Sequence, residues 1–180
     1  MSDHENDDPE ISDRKQDHLE LTATEQVEAR GKTNLIEQVE FFHDSLPELA
    51  IDDVDLSSEF LGKPISAPLA ISGMTGGAER AREINQILAE VAQKLGLVFG
   101  VGSQRALLED ESLADTYQVR DVAPDIPLLG NIGGVQAAEY EPQRIGSLVE
   151  MIQADGLCIH LNPGQELMQP EGDRDFRGCL

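Results

Sequence analysis

From Ile65 onward the chain repeats one alternation four times: a short apolar run, then a longer segment of helical period. That pattern is the sequence form of consecutive βα units and a parallel sheet. It predicts strands near 67–72, 97–101, 127–131 and 156–161. Intervening helices are expected at about 78–95, 112–122 and 142–153, with none after the last strand. In the first helix, Ile84, Ile87, Leu88, Val91 and Leu95 recur at helical spacing and Gly96 supplies the stop. Residues 1–13 are polar and acidic without an apolar period, so they are expected to be a disordered tail. Residues 14–64 read as a lead-in segment and 65–180 as the αβ body.

Charge narrows the function classes. Against 35 acidic residues stand 13 basic ones, a formal net charge of −22, which disfavours nucleic acid and anionic membranes as partners. Aromatics are 4% with no Trp, so the stacking platform of a single-strand binder is missing. An acidic amino end and the lack of a long apolar run argue against a signal peptide or a membrane span. Two cysteines, Cys158 and Cys179, do not make a disulfide framework, so a cytoplasmic setting is expected. Acids spread along the whole chain, beside only Lys15, Lys32, Lys63 and Lys94, fit either a high-salt habitat or an acidic mesophile protein.

Parallel α/β folds place ligands at the carboxyl ends of their strands. Those positions here are polar and Gly-rich: Gly73-Met74-Thr75-Gly76-Gly77, Gly102-Ser103-Gln104-Arg105, Asn131-Ile132-Gly133-Gly134, and His160-Leu161-Asn162-Pro163-Gly164-Gln165-Glu166. Each piece has a plain reading beside a functional one. Thr75-Gly76-Gly77 is a simple turn or a loop that lets backbone N–H groups approach a flavin or phosphate. Gly100-Val101-Gly102 opens like a dinucleotide fingerprint, but Arg105 stands where the third glycine belongs, so that reading fails. Arg105 is either a structural ion pair or an anion clamp.

In the fourth strand Cys158, His160 and Asn162 share one face, which would point into a barrel, and Leu157, Ile159 and Leu161 share the other. Cys158 and His160 lack further ligands at zinc spacing, which favours an interior histidine. Glu166 is a hard oxygen ligand of the kind Mg²⁺ takes together with phosphate. Pro170-Glu171-Gly172-Asp173-Arg174-Asp175-Phe176 reads as an exposed acidic loop or as a flap over the site.

Taken together, these residues resemble the type 2 isopentenyl-diphosphate isomerases. Arg14-Lys15-x-x-His18, Met74-Thr75-Gly76-Gly77, Gly102-Ser103-Gln104-Arg105, Asn131-x-Gly133, His160-x-Asn162-x-x-Gln165-Glu166 and the run through Phe176 occur in the family's order. The resemblance implies a TIM (β/α)8 barrel working with FMN and Mg²⁺, with NADPH as reductant, that interconverts isopentenyl and dimethylallyl diphosphate. It implies Met74, Thr75, Gly76, Gly77, Ser103 and Asn131 at the flavin, and Arg14, Lys15 and Arg105 on the diphosphate. His160, Asn162 and Gln165 would line the substrate and take the catalytic positions, with Glu166 on the metal. Such a barrel needs about 250 residues, whereas 180 residues supply four βα units, so the expected object is an amino-terminal half-barrel. It would pair with a second copy or with a carboxyl-terminal half, and alone it would be inactive. The chain closes on Gly178-Cys179-Leu180 where the family pattern leads us to expect Trp in place of Cys179. Two alternatives stay open: an FMN-dependent oxidoreductase of 2-hydroxy acids, and a non-catalytic half-barrel.

Overall fold

A computed structural model describes residues 20–24, 27, 31–169 and 172–179. The chain divides into two compact units, Met1–Asp55 and Leu56–Leu180. Within the first, the described residues form two short 3-10 turns, Ile36–Gln38 and Ile51–Asp53, with no buried side chain in either.

The second unit carries the repeat. An antiparallel hairpin, β1 (Ser58–Phe60) and β2 (Lys63–Ile65), precedes four parallel strands: β3 (Ala70–Ile71), β4 (Val98–Gly100), β5 (Leu128–Gly133) and β6 (Gly156–His160). The sheet order β3-β4-β5-β6 follows the chain order. Helix α1 (Glu79–Leu95) joins β3 to β4, and α2 (Arg105–Glu109) follows β4. Helices α3 (Gly134–Glu139) and α4 (Pro142–Met151) follow β5, and α5 (Pro163–Met168) follows β6.

Register determines which face is the core. Phe99 pairs with Leu128, and Phe99, Val101, Leu128 and Ile132 project to the same side of the pleat. They join Ala89 and Ala92 of α1 and Leu148 and Ile152 at α4 in one buried cluster. Helices that feed a single sheet face, combined with sequential strand order, make this a singly wound sheet, an open segment of a (β/α) barrel. The opposite face carries Leu129, Asn131, Cys158 and His160, and Cys158 on it is exposed.

Four expectations change. Helix α1 buries Ala81, Asn85, Ala89 and Ala92, while Ile87 is 60% exposed and Val91 and Leu95 are exposed as well. Small side chains let the helix approach the sheet closely, Leu88 packs at the edge of the core, and Ile87, Val91 and Leu95 are turned outward. The helix expected at 112–122 is replaced by α2 and a 3-10 helix, Glu111–Thr116, whose first turn is capped by Asp110 Oδ1 accepting from Ser112 N–H at 2.9 Å. A helix, α5, does follow the fourth strand. The hairpin β1–β2 had no periodic signal, since its strands are three residues long and one contains Pro64. Its turn is set by Leu61 (φ 51°) and Gly62 (φ 74°), the paired positive φ values of a tight hairpin.

The hairpin tip reaches the amino ends of the strands. Lys63 Nζ lies 2.8 Å from Asp155 Oδ1, and Arg120 Nη2 donates to Asp155 Oδ2 at 2.6 Å. The same Oδ2 accepts from Leu128 N–H at 2.8 Å, which locks the starts of β5 and β6 together. Burial pushes the Asp155 carboxyl pKa up. The bonds from Lys63, Leu128 and Arg120, with the Arg120 charge, outweigh that and hold it below the ordinary value.

Candidate functional site

Polar side chains gather at the other end of the sheet, where the strands finish, and the loops there are wired to one another. The loop after β3 is held from behind by Asn85 of α1, whose Nδ2 donates to Thr75 O at 3.2 Å and to Thr116 O at 3.1 Å. Thr116 Oγ1 accepts from Gly77 N–H at 2.8 Å. Tyr117, fully buried, donates from its hydroxyl to Ser103 O at 2.8 Å, and burial raises its pKa well above the phenol range. A Cβ on Gly76 would fall 1.9 Å from the Tyr117 ring, and one on Gly102 would fall 2.5 Å from Thr75 N. The glycines of the first two loops therefore exist so that those loops can pack on each other. Gly77 N–H is engaged, Met74 in the same loop is exposed and Thr75 is buried. Thr75 Oγ1 is the buried side-chain polar atom without a hydrogen-bond partner among the described residues.

The loops after β4 and β5 share a buried amide. Gln104, with no exposed surface, accepts from Asn131 N–H at 3.0 Å through Oε1 and donates from Nε2 to Leu148 O at 2.9 Å. Asn131 O accepts from Gln104 N–H at 2.8 Å. This fixes Asn131 beside the fourth strand, where its Oδ1 stands 2.8 Å from His160 Nδ1. Cys158 and His160 share the face expected of them, but no group of three or more His, Cys, Asp or Glu side chains able to hold a metal is present among the described residues.

Asn162 caps α5. Its Oδ1 accepts from Gln165 N–H at 3.2 Å while its Nδ2 donates to Gln165 Oε1 at 2.7 Å, so the two amides orient each other. Glu166 Oε2 accepts from Asp173 N–H at 3.1 Å. Of the run expected at 170–176, residues 172–176 are described, and within them Asp173 is drawn in rather than extended into solvent. Asp173 Oδ2 accepts from Gln136 Nε2 at 2.6 Å and lies 3.6 Å from Arg105 Nη1. A cavity of about 210 Å³ lies here, lined among others by His160, Asn162, Glu166, Gln136, Asp173 and Phe176.

The structure thus brings Asn131, His160, Asn162, Gln165, Glu166 and Arg105 to one rim, together with the Thr75 and Ser103 loops. Arg14 and Lys15 lie outside the described residues. Asn85, Thr116, Tyr117 and Gln136 were not identified from sequence, and Gln104 and Asp173 entered only as members of motif runs without a role. Their signal is polarity at positions of apolar period, as with Asn85 in the first helix, and it becomes legible only when the partner loop is known.

Among the described residues, no helix is long and apolar enough to cross a membrane. No family model matches the chain. Curated proteins do. The isopentenyl-diphosphate delta-isomerase of Rickettsia akari is 48% identical over 168 residues, 93% of this chain and 49% of that protein. The protein of the same name from Cronobacter sakazakii is 50% identical over 175 residues, 96% of this chain and 50% of that protein. The chain spans about half the length of the curated relatives it matches.

Proposed function

This chain is a homologue of the amino-terminal half of the type 2 isopentenyl-diphosphate isomerases, and from that premise we propose that it supplies the substrate-facing rim of an enzyme interconverting isopentenyl and dimethylallyl diphosphate. The observation that carries the reading is the convergence of Arg105, Asn131, His160 and Glu166 at the carboxyl ends of adjacent parallel strands. All four lie in segments that also resemble the family's motifs by sequence.

FMN fits the residues present. Thr75 Oγ1 has no protein partner, and rotation about χ1 would offer it to the polar edge of a ring. Met74, Ser103 and Asn131 are the other groups assigned to that edge, with Gly76 and Gly77 shaping the loop. When bound and reduced, with NADPH as the reductant, FMN would supply the acid/base chemistry for an allylic proton shift. The chain's own residues bind and orient. Arg105, with Arg14 and Lys15, holds diphosphate oxygens through planar or point-charge contacts. His160, Asn162 and Gln165 line the hydrocarbon and fix its reacting carbon; the mutual hydrogen bonds of Asn162 and Gln165 keep both amides preorganised. Glu166 offers hard oxygens with lone pairs beyond the one used by Asp173 N–H, so it would be the residue to hold Mg²⁺, whose charge would offset that of a diphosphate.

The test is reconstitution. The 180-residue polypeptide alone is expected to retain FMN weakly, because four of eight rim loops leave the cofactor open to water. Co-expressed with a complementary set of four βα units, it should bind FMN and isomerise isopentenyl diphosphate under reducing conditions with Mg²⁺. Flavin binding with oxidation of a 2-hydroxy acid, and no isomerisation, would support the oxidoreductase reading instead.

A further inference from the structure

One residue outside the assigned set touches three of the four rim loops. Asp173 faces Arg105 at the end of β4, accepts from Gln136 after β5, and gives its backbone N–H to Glu166 after β6. The segment it anchors, Gly172 to Cys179, forms one wall of the cavity through Asp173, Phe176 and Cys179. Its approach is close: a Cβ on Gly172 would fall 1.9 Å from Glu166 O. The Gln136 bond is short and direct at 2.6 Å, whereas the Arg105 contact, at 3.6 Å between side chains 36% and 21% exposed, is a loose ion pair. A single ion pair at that distance and exposure holds weakly, but a guanidinium engages two phosphate oxygens at once.

We propose that Asp173 is an internal stand-in anion for Arg105, and that a diphosphate ester must displace it to bind. The inference rests on the diphosphate reading above and adds a coupling to it. When Arg105 turns to a diphosphate, the Asp173 carboxylate loses its counter-charge and is left beside Glu166 and the incoming anion. Like charges then drive the strap away from the rim. Ligand entry and strap release are one exchange, and a monoanion that cannot span both guanidinium nitrogens competes poorly with a carboxylate already in place.

Inorganic pyrophosphate, without Mg²⁺, is the probe, and tryptic cleavage after the exposed Arg177 reports the strap. In D173N, cleavage after Arg177 should quicken severalfold without ligand, and calorimetry should show pyrophosphate bound about fivefold more tightly. Wild-type protein with saturating pyrophosphate should be cut at the D173N rate. Q136L, which removes one of the remaining anchors and leaves the charge, should quicken cleavage with unchanged pyrophosphate affinity; this separates a loosened strap from a released Arg105. Weaker or equal pyrophosphate binding in D173N overturns the proposal, as does a strap that stays protected when pyrophosphate binds. Failure of pyrophosphate to bind any of the three proteins overturns the diphosphate reading together with it.

Discussion

His160 Nδ1 lies 2.8 Å from Asn131 Oδ1, across the pair of strands in which Gly133 stands opposite His160. With the amide oxygen as acceptor, the proton sits on Nδ1 and Nε2 keeps its lone pair. In that tautomer the side chain expected against the substrate is an acceptor at Nε2, and Asn131, expected at the flavin, is the group that selects it.

That geometry is checked by long-range proton–nitrogen spectra of the neutral ring. His160 should show the Nδ1–H tautomer in the wild-type chain. N131L, which removes the acceptor, should return it to a mixture of tautomers. An Nε2–H ring in the wild-type protein would mean that Asn131 presents its NH₂ group instead.

Thr75→Val keeps the side-chain shape and removes the unpartnered hydroxyl. Since that hydroxyl contributes no protein hydrogen bond, the urea midpoint of the chain should hold or rise. In the reconstituted enzyme, flavin affinity should fall on the order of tenfold, the worth of one hydrogen bond in a dry site. A stability loss without a change in flavin affinity would show that Thr75 serves the loop alone.

Gly76→Ala should destabilise by about 2 kcal/mol or more, because its Cβ has no space beside the buried Tyr117 ring. Gly146→Ala, within α4 and with nothing within 4 Å of the added methyl, should stabilise by about 0.5–1 kcal/mol. Denaturant melts of the two variants should therefore move in opposite directions. Equal shifts would show that Tyr117 is not packed as described.

Asp155→Asn removes the counter-charge of Lys63 and Arg120, and at neutral pH it should cost about 2–3 kcal/mol, below the value for a fully buried pair because the cluster is partly wet. The Asp155 pKa is lower in the folded chain than its ordinary 3.8, so its stabilisation is present above that value and is lost as pH falls through the folded pKa. The gap in unfolding midpoint between wild type and D155N should hold from pH 7 to 5 and narrow below about pH 4. A gap that persists undiminished at pH 2 would assign the effect to shape rather than charge.

Glu166→Gln, in the reconstituted enzyme, should lower Mg²⁺-dependent turnover on the order of 10²-fold while leaving flavin affinity near wild type. Asp175, exposed and paired with Arg177, is the matching control, and D175N should change turnover little. Wild-type Mg²⁺ dependence in E166Q would move the metal to another carboxylate.

What the sequence determined by itself was the part of the structure that local rules control. Apolar runs of the right length, with Gly96 ready to end α1 in a left-handed cap, specify βα units whatever surrounds them. Because side chains alternate along a strand, the shared face of Cys158 and His160 was legible too. Tertiary structure alone decided which apolar stripe of α1 is buried, because Ile87 and Ala89 both fit a helical period and only the distance to the sheet selects the small residue. It decided that Gly76 and Gly102 are spaces for Tyr117 and Thr75. It also turned Asp173 from an acid in a polar run into a contact of Arg105, Gln136 and Glu166. Apart from Glu166 and Asp173, which are 7 positions apart, those roles depend on pairs of residues 27 to 68 positions apart, and no local propensity encodes a partner that the chain meets only after it has folded.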